Sequence, residues 1–267
     1  MTNEAQKNKI PMISPASTNP KVTQVGDYIF RACFVDTFQG SSMARFAYDD
    51  LNLRKVAILY DIKNDYSVGL VEFFEKTFKE LGGEIVEKQS YSEGDIEFRA
   101  QLTAIKSRDP QAIYVPGYYT EVGLIARQAR DLGINVPLMG GDGWDSVKTV
   151  EIGGNAVEGS YYSNHYSAED PSPVIQDFIK KYQAKFGKVP DAMAVLGYDA
   201  ANILFDAIKR AGSSEGPKIR DAMAATSGFQ GVSGSITMDP QRDAKKKIVI
   251  LKIEGGKVKF HKALDPS

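Results

Sequence analysis

The sequence predicts an α/β fold in which parallel strands form a sheet covered by helices on both faces, followed by a helix-rich region. Three observations carry that expectation. Between residues 55 and 154, short apolar runs alternate four times with helix-like segments, three of which close on glycine. Beyond residue 166 the rhythm changes to consecutive amphipathic helices, and the chain closes on two apolar runs joined by Gly255-Gly256. Strands that alternate with helices imply a parallel sheet, because each crossover returns over one of its faces.

Taken in order, "IPMISPAST" and "DYIFRACF" read as two opening strands. "KVAILYD" (55–61) is a strand, and "VGLVEFFEKTFKELGG" after it puts Val71, Phe74, Phe78 and Leu81 on one helical face before a glycine stop. The unit recurs as "GEIVEKQSY" with "EFRAQLTAIKS", "AIYVPGY" with "EVGLIARQARDLG", and "VPLMGGD" with "SVKTVEIGG"; "VEGSYYSNHY" (157–166) adds a further strand. Two amphipathic helices follow, "SPVIQDFIKKYQAKFG" and "DAMAVLGYDAANILFDAIKRAG", each ending at glycine, and a third, "GPKIRDAMAAT", opens at Pro217. "GSITMD" and "KKIVILKIEGGKVKFHKAL" finish the chain as a strand and a hairpin with a Gly-Gly turn. The two opening strands have no helix-strand set before them, so a lobe made of them and the helices of 167–227 is short of β structure and is expected to be incomplete.

Composition narrows the function classes. With 33 basic and 34 acidic residues in 267, the formal net charge is -1, which gives no global field toward nucleic acid or an anionic membrane. No apolar run approaches the roughly 18 residues of a membrane span. Cys33 stands alone, which rules out a disulfide framework or a multi-cysteine metal site and suits a small buried apolar residue. The opening "MTNEAQKNKIPMIS" lacks a basic segment followed by an apolar one, so no signal peptide is read in this chain. Its two histidines, His165 and His261, are far apart, and there is no phosphate-cradling GxxxxGK[ST], no HExxH and no nucleophile elbow. No enzyme, cofactor or metal is therefore expected.

Strand ends are the informative places. Tyr66 follows "LYDIKND", Tyr118 closes "AIYVPGY", and Asp142 closes "PLMGG" inside "GGDGW", which lacks the GxGxxG spacing of a dinucleotide site. Glycine and aspartate are ordinary turn residues, yet three successive strand ends of one parallel sheet place these groups on the rim where open α/β sheets bind ligands. An acid for an ammonium, hydroxyls and N–H groups for a carboxylate, and aromatic walls for an apolar tail describe an amino-acid pocket. "SPAST" (14–18) is either an ordinary serine-threonine loop or the source of those hydroxyls and N–H groups.

"IPMISPASTNP", "YIFRACFVDTFQG", "KVAILYDIKNDYSVGL", "GDIEFRAQLTAIK", "IYVPGYYTEVGLIARQARDLGI", "PLMGGDGW", "EGSYYSN", "GYDAANILFDAI" and "GVSGSITMD" resemble, in order and spacing, segments of the Leu/Ile/Val-binding family of type I periplasmic binding proteins. The resemblance implies two α/β lobes that close over a branched-chain amino acid and deliver it to the membrane subunits of an ABC importer, in the periplasm or at the cell surface. It assigns Ala16 and Thr18 to the ligand's polar ends, Asp142 to its α-ammonium with Gly143 beside it, and Tyr66, Tyr118 and Tyr198 to the cleft walls. This sequence departs from the family in lacking the usual leader and first β-α-β-α-β run, and in having Asp142 where relatives often carry glutamate. The expected lobes are residues 1–36 with 166–244, incomplete, and 37–165 with 245–267. A sensor domain of the same fold and an α/β enzyme with an unfamiliar site are the rival readings.

Overall fold

The structure is a computed structural model and describes residues 1–266; the last residue of the expected 245–267 segment lies outside the described ones. The chain opens with helix α1 (Thr2–Lys7) and the parallel pair β1 (Met12–Ser14) and β2 (Ile29–Arg31). Helix α2 (Asp36–Arg45) follows and runs into a π turn over Phe46–Asp50. The alternating stretch comprises β3 (Lys55–Asp61), α3 (Asp65–Glu80), β4 (Glu84–Tyr91), α4 (Arg99–Lys106), β5 (Ala112–Tyr114), α5 (Tyr119–Asp131), β6 (Leu138–Gly140), α6 (Val147–Gly153) and β7 (Tyr161–Asn164). Helices α7 (Pro173–Phe186), α8 (Ala192–Ala211) and α9 (Gly216–Ala224) come next, then β8 (Phe229–Gly231), β9 (Gly234–Met238), β10 (Ala244–Lys245), β11 (Ile248–Glu254) and β12 (Lys257–Leu264).

Local chemistry explains the boundaries. Asn64 caps α3 by accepting from the Tyr66 N–H, and Asp191 caps α8 by accepting from the Ala194 N–H. Gly255 and Gly256 turn the last hairpin at φ 61° and 68°, values that favour glycine, and Glu158 accepts from both of their N–H groups.

Two compact units divide the chain: unit 1 is Met1–Val35, His165–Ile248 and the tail from Ala263, and unit 2 is Asp36–Asn164 with Val249–Lys262. Unit 2 is built on a seven-stranded sheet ordered β12-β11-β7-β6-β5-β3-β4. Strands β4, β3, β5, β6 and β7 are mutually parallel, and β11 runs antiparallel to β7. Leu59, Phe98, Ile113, Val122, Leu138 and Trp144 belong to its continuous core. Because β4 lies on one side of β3 and β5 on the other, the chain reverses its direction of travel there, which opens a crevice at the carboxyl ends.

Helix α2 is the element that hydrophobic periodicity does not reveal. It buries Asp36, Gln39, Gly40 and Ser42 along with Met43 and Ala44, so polar and glycine positions interrupt the apolar stripe. A Cβ on Gly40 would lie 2.9 Å from the Phe73 Cβ and 3.0 Å from the Leu70 carbonyl oxygen, so α2 rests on the backbone of α3.

Unit 1 carries the β1-β2 pair, a three-stranded antiparallel sheet ordered β10-β9-β8, and helices α7 to α9. Phe30, Ile203, Met223 and Ile236 share one core cluster. Residues 245–248 stay with this unit instead of joining the hairpin's unit. Lys245 pairs with Thr237 of β9, and the fully buried Lys246 donates to Ser233 Oγ. Asp199 in turn accepts from the N–H groups of Val232 and Ser233, at 2.7 and 2.8 Å, and from Ser233 Oγ at 2.6 Å.

Two expectations follow from this packing. Gly40→Ala supplies a better helix former but drives a methyl into the α3 backbone, so urea unfolding is expected to show a net loss of about 1 kcal/mol or more; a gain would mean that α2 and α3 separate freely. Burial pushes the Lys246 ammonium down to about 8, with the Asp199 carboxylate opposing the shift. Above that pH the unfolded chain holds more protons than the folded one, so this group adds stability as pH rises toward its ordinary value of about 10.4. Lys246→Met removes the donor to Ser233 Oγ and the cation near Asp199, whose own three donors remain, and is expected to lower stability by about 1 to 3 kcal/mol at neutral pH. Its deficit against wild type should widen between pH 8 and 10 in urea unfolding; a constant deficit would show that another group titrates.

Candidate functional site

The carboxyl end of β6 explains why glycines surround Asp142. A Cβ on Gly140 would overlap the Trp144 indole, and one on Gly141 would lie 2.5 Å from the Tyr66 hydroxyl and 3.0 Å from Gln39 Nε2. On Gly143 it would lie 2.7 Å from the Gly117 carbonyl oxygen and 3.0 Å from Tyr118 Cδ1. None of the three has a positive φ, so close approach of side chains, rather than turn geometry, demands glycine here. Trp144 locks the turn by donating its indole N–H to the Val115 carbonyl at 2.9 Å.

Asp142 is buried at 3% exposure. Its Oδ1 accepts from the Tyr66 hydroxyl and from Gln39 Nε2, both at 2.7 Å. Tyr66 also accepts from the Gly143 N–H at 3.0 Å, and Gln39 reaches Ser163 Oγ at 2.9 Å. The Tyr66 and Tyr118 rings stack with centroids 5.4 Å apart, while Tyr118 remains 43% exposed. Burial, then the Asp142 charge, push the Tyr66 phenol well above its ordinary range, against the pull of the Gly143 N–H. Tyr66 is therefore a neutral donor at any physiological pH. Tyr118 is raised by the same two causes in the same order. Two neutral donors thus reach the Asp142 carboxylate without bringing a positive charge to it.

Tyr66, Tyr118, Asp142 and Gly143 thus meet in one cluster of unit 2. Ala16, Thr18 and Tyr198 belong to unit 1. The "SPAST" loop leaves β1 at Ser14, whose Oγ accepts from the Ser17 N–H at 3.1 Å. Arg31, fully buried on β2, donates to the carbonyls of Ser17 and Asn19 at 2.7 and 2.8 Å and pairs with Asp243 at 2.6 Å. The loop is pinned on either side of the buried Thr18, with Ala16 partly exposed. Tyr198, on α8, is 50% exposed and packs on Phe178 with ring centroids 4.8 Å apart.

Gln39 and Arg31 are the supporting residues that sequence reasoning misses. Arg31 had a readable signal, a charge inside the apolar run "YIFRACF"; Gln39 had none. Among the described residues no group of three His, Cys, Asp or Glu is placed to hold a metal, and no helix is long and apolar enough to cross a membrane.

Comparison with known proteins gives a consistent set of likenesses. The family described as periplasmic binding protein matches residues 1–257. The Leu/Ile/Val-binding protein homolog 1 of Brucella suis is 31% identical over 242 residues, 90% of this chain, and the chain spans 64% of that relative's length. The leucine binding protein LivK of Thermotoga maritima superposes with a TM-score of 0.95 at 45% identity, covering 99% of this chain and 76% of that one. LivJ of Streptococcus pneumoniae, solved in complex with isoleucine, gives 0.92 at 33% identity, covering 99% and 75%.

Tyr66→Phe tests the cluster by removing the donor to Asp142 and the acceptor of the Gly143 N–H. Stability is expected to fall by about 1 to 3 kcal/mol. Because the folded phenol is raised, the difference from wild type should hold below about pH 10 and shrink above it; unfolding midpoints from pH 7 to 11 report it, and a pH-independent difference would count against the bond.

Proposed function

We propose, for a chain that belongs to the periplasmic binding protein family, that it is the solute-binding part of an ABC importer for a branched-chain or another small aliphatic amino acid. The observation that carries this reading is the buried Asp142 carboxylate at the end of β6, held by the neutral donors Tyr66 and Gln39. Leu/Ile/Val binding in the name of the Brucella suis relative and isoleucine in the LivJ complex support the ligand class.

In this reading Asp142 meets the α-ammonium, and the Gly143 backbone, which has no room for a side chain, lies beside it. Tyr66 and Tyr118 wall the aliphatic part. Ala16 and Thr18 contribute main-chain and hydroxyl groups from a loop braced by Arg31, and Tyr198 is a further wall. The protein binds and releases its ligand without turnover, acts in the periplasm or at the cell surface, and hands the amino acid to the importer's membrane subunits.

Asp142→Asn is the decisive variant, because the amide retains an oxygen for Tyr66 and Gln39 while it removes the charge and turns the other oxygen into an N–H donor. An ammonium left facing a neutral group in a dry site weakens binding by about 2 to 5 kcal/mol, roughly 30-fold or more in Kd. Calorimetric titration of leucine, isoleucine and valine into both proteins is expected to show that loss with the fold unchanged by circular dichroism. Equal affinities would sink the assignment of Asp142, and no binding by the parent chain would sink the ligand class.

A further inference from the structure

A cavity of about 250 Å³ opens at the carboxyl ends of β3, β4 and β5, where the strand order of unit 2 reverses. Asp61, Ser67, Tyr91, Glu93, Tyr118 and Glu121 line it, and no lysine, arginine or histidine does so among the described residues. Two of its three carboxylates are buried, Asp61 at 4% and Glu121 at 8% exposure. Each spends one oxygen on local backbone: Asp61 Oδ1 accepts from the Lys63 N–H at 2.9 Å, and Glu121 Oε1 from the Gly94 N–H at 3.0 Å. Their other oxygens have no hydrogen-bond partner among the described residues.

Tyr91 supplies an independent observation. It is 4% exposed, its ring packs edge-on against Phe98 at 5.5 Å in the core, and its hydroxyl has no hydrogen-bond partner among the described residues. That hydroxyl occupies the place a Cβ on Gly117 would need, so it stands at the cavity wall. Burial, then the charges of Glu121, Asp61 and Asp95, raise the phenol's pKa, so it stays neutral in this negative field.

Buried carboxylates and an idle phenol beside aromatic faces suit a cation. The acids are not grouped closely enough to hold a metal ion among the described residues. We propose that this cavity is a binding site for a small organic cation of the ammonium or guanidinium class, separate from the Asp142 cluster. Tyr118 borders both places, stacking on Tyr66 and lining the cavity.

The test uses guanidinium chloride and methylammonium chloride at low millimolar concentration, with potassium chloride matching ionic strength, followed by amide NMR shifts and calorimetry. Saturable shifts at Gly94, Gly117 and Glu121 that potassium does not reproduce are expected. The double variant Asp61→Asn/Glu121→Gln keeps both backbone acceptors and should bind about tenfold more weakly. Tyr91→Phe, which removes one hydroxyl, should weaken binding about threefold and serves as the readout if the double variant does not fold. Asp142→Asn should leave the cation's affinity unchanged, whatever it does to amino-acid binding. Shifts equal to those of potassium, unchanged affinity in the cavity variants, or a loss caused by Asp142→Asn would each overturn the proposal.

Discussion

The common direction of β3, β5 and β6 is the constraint on which the functional part of unit 2 depends. Parallel strands joined by helical crossovers bring their carboxyl ends to one rim, so residues 66, 118 and 142, distant in the chain, become neighbours without any local sequence contact. Helices α3 and α5 start at that rim, and Tyr66 and Glu121 lie in their first turns. The free N–H groups and positive dipole ends of those helices make the rim tolerant of carboxylates that would be costly to bury elsewhere. The same geometry explains how both Asp142 and the Asp61–Glu121 pair are buried at one end of one sheet.

Close packing turns this rim into a shaped surface. Three glycines around Asp142 are occupied, in effect, by the side chains of Trp144, Tyr66 and Tyr118 lying where Cβ atoms would be. The backbone is thereby exposed to those rings, and the Asp142 carboxylate is delivered to the Tyr66 hydroxyl with little freedom. Gln39 completes the arrangement from α2, a helix that is present because Gly40 lets it sit on α3. Fold and site share the same small residues, so a change meant for one disturbs the other.

Unit 1 uses buried cations instead. Arg31 ties the loop after β1 to Asp243, and Lys246 ties the segment before β11 to Ser233 beside Asp199. Arg31 meets acceptors from segments far apart in sequence, which favours one arrangement of those segments over alternatives, and Lys246 fixes its own segment through Ser233. Desolvation is the opposing force, visible in the lowered Lys246 ammonium.

The alternation from Lys55 to Asn164 was legible because strand and helix periods are local properties, and so was the hairpin at Gly255-Gly256. Tyr66, Tyr118 and Asp142 were legible as strand-end residues once a parallel sheet was inferred, since topology alone puts such ends together. Helix α2 was not, because four of its six buried residues are Asp36, Gln39, Gly40 and Ser42, which hydrophobic patterning scores as surface, beside only Met43 and Ala44. In the sequence the glycines of "GGDGW" read as turn residues or as room for a ligand to approach; the structure gives steric contact as the reason, with Trp144 from the same segment and with Tyr66 and Tyr118 arriving from elsewhere. Sequence alone therefore determined the alternating strands and helices from Lys55 to Asn164 and the chemical types available at each strand end. Tertiary structure decided which carboxylate faces which donor, because hydrogen bonds of 2.7 Å between residues 76 and 103 positions apart are set by packing and not by the spacing of residues along the chain.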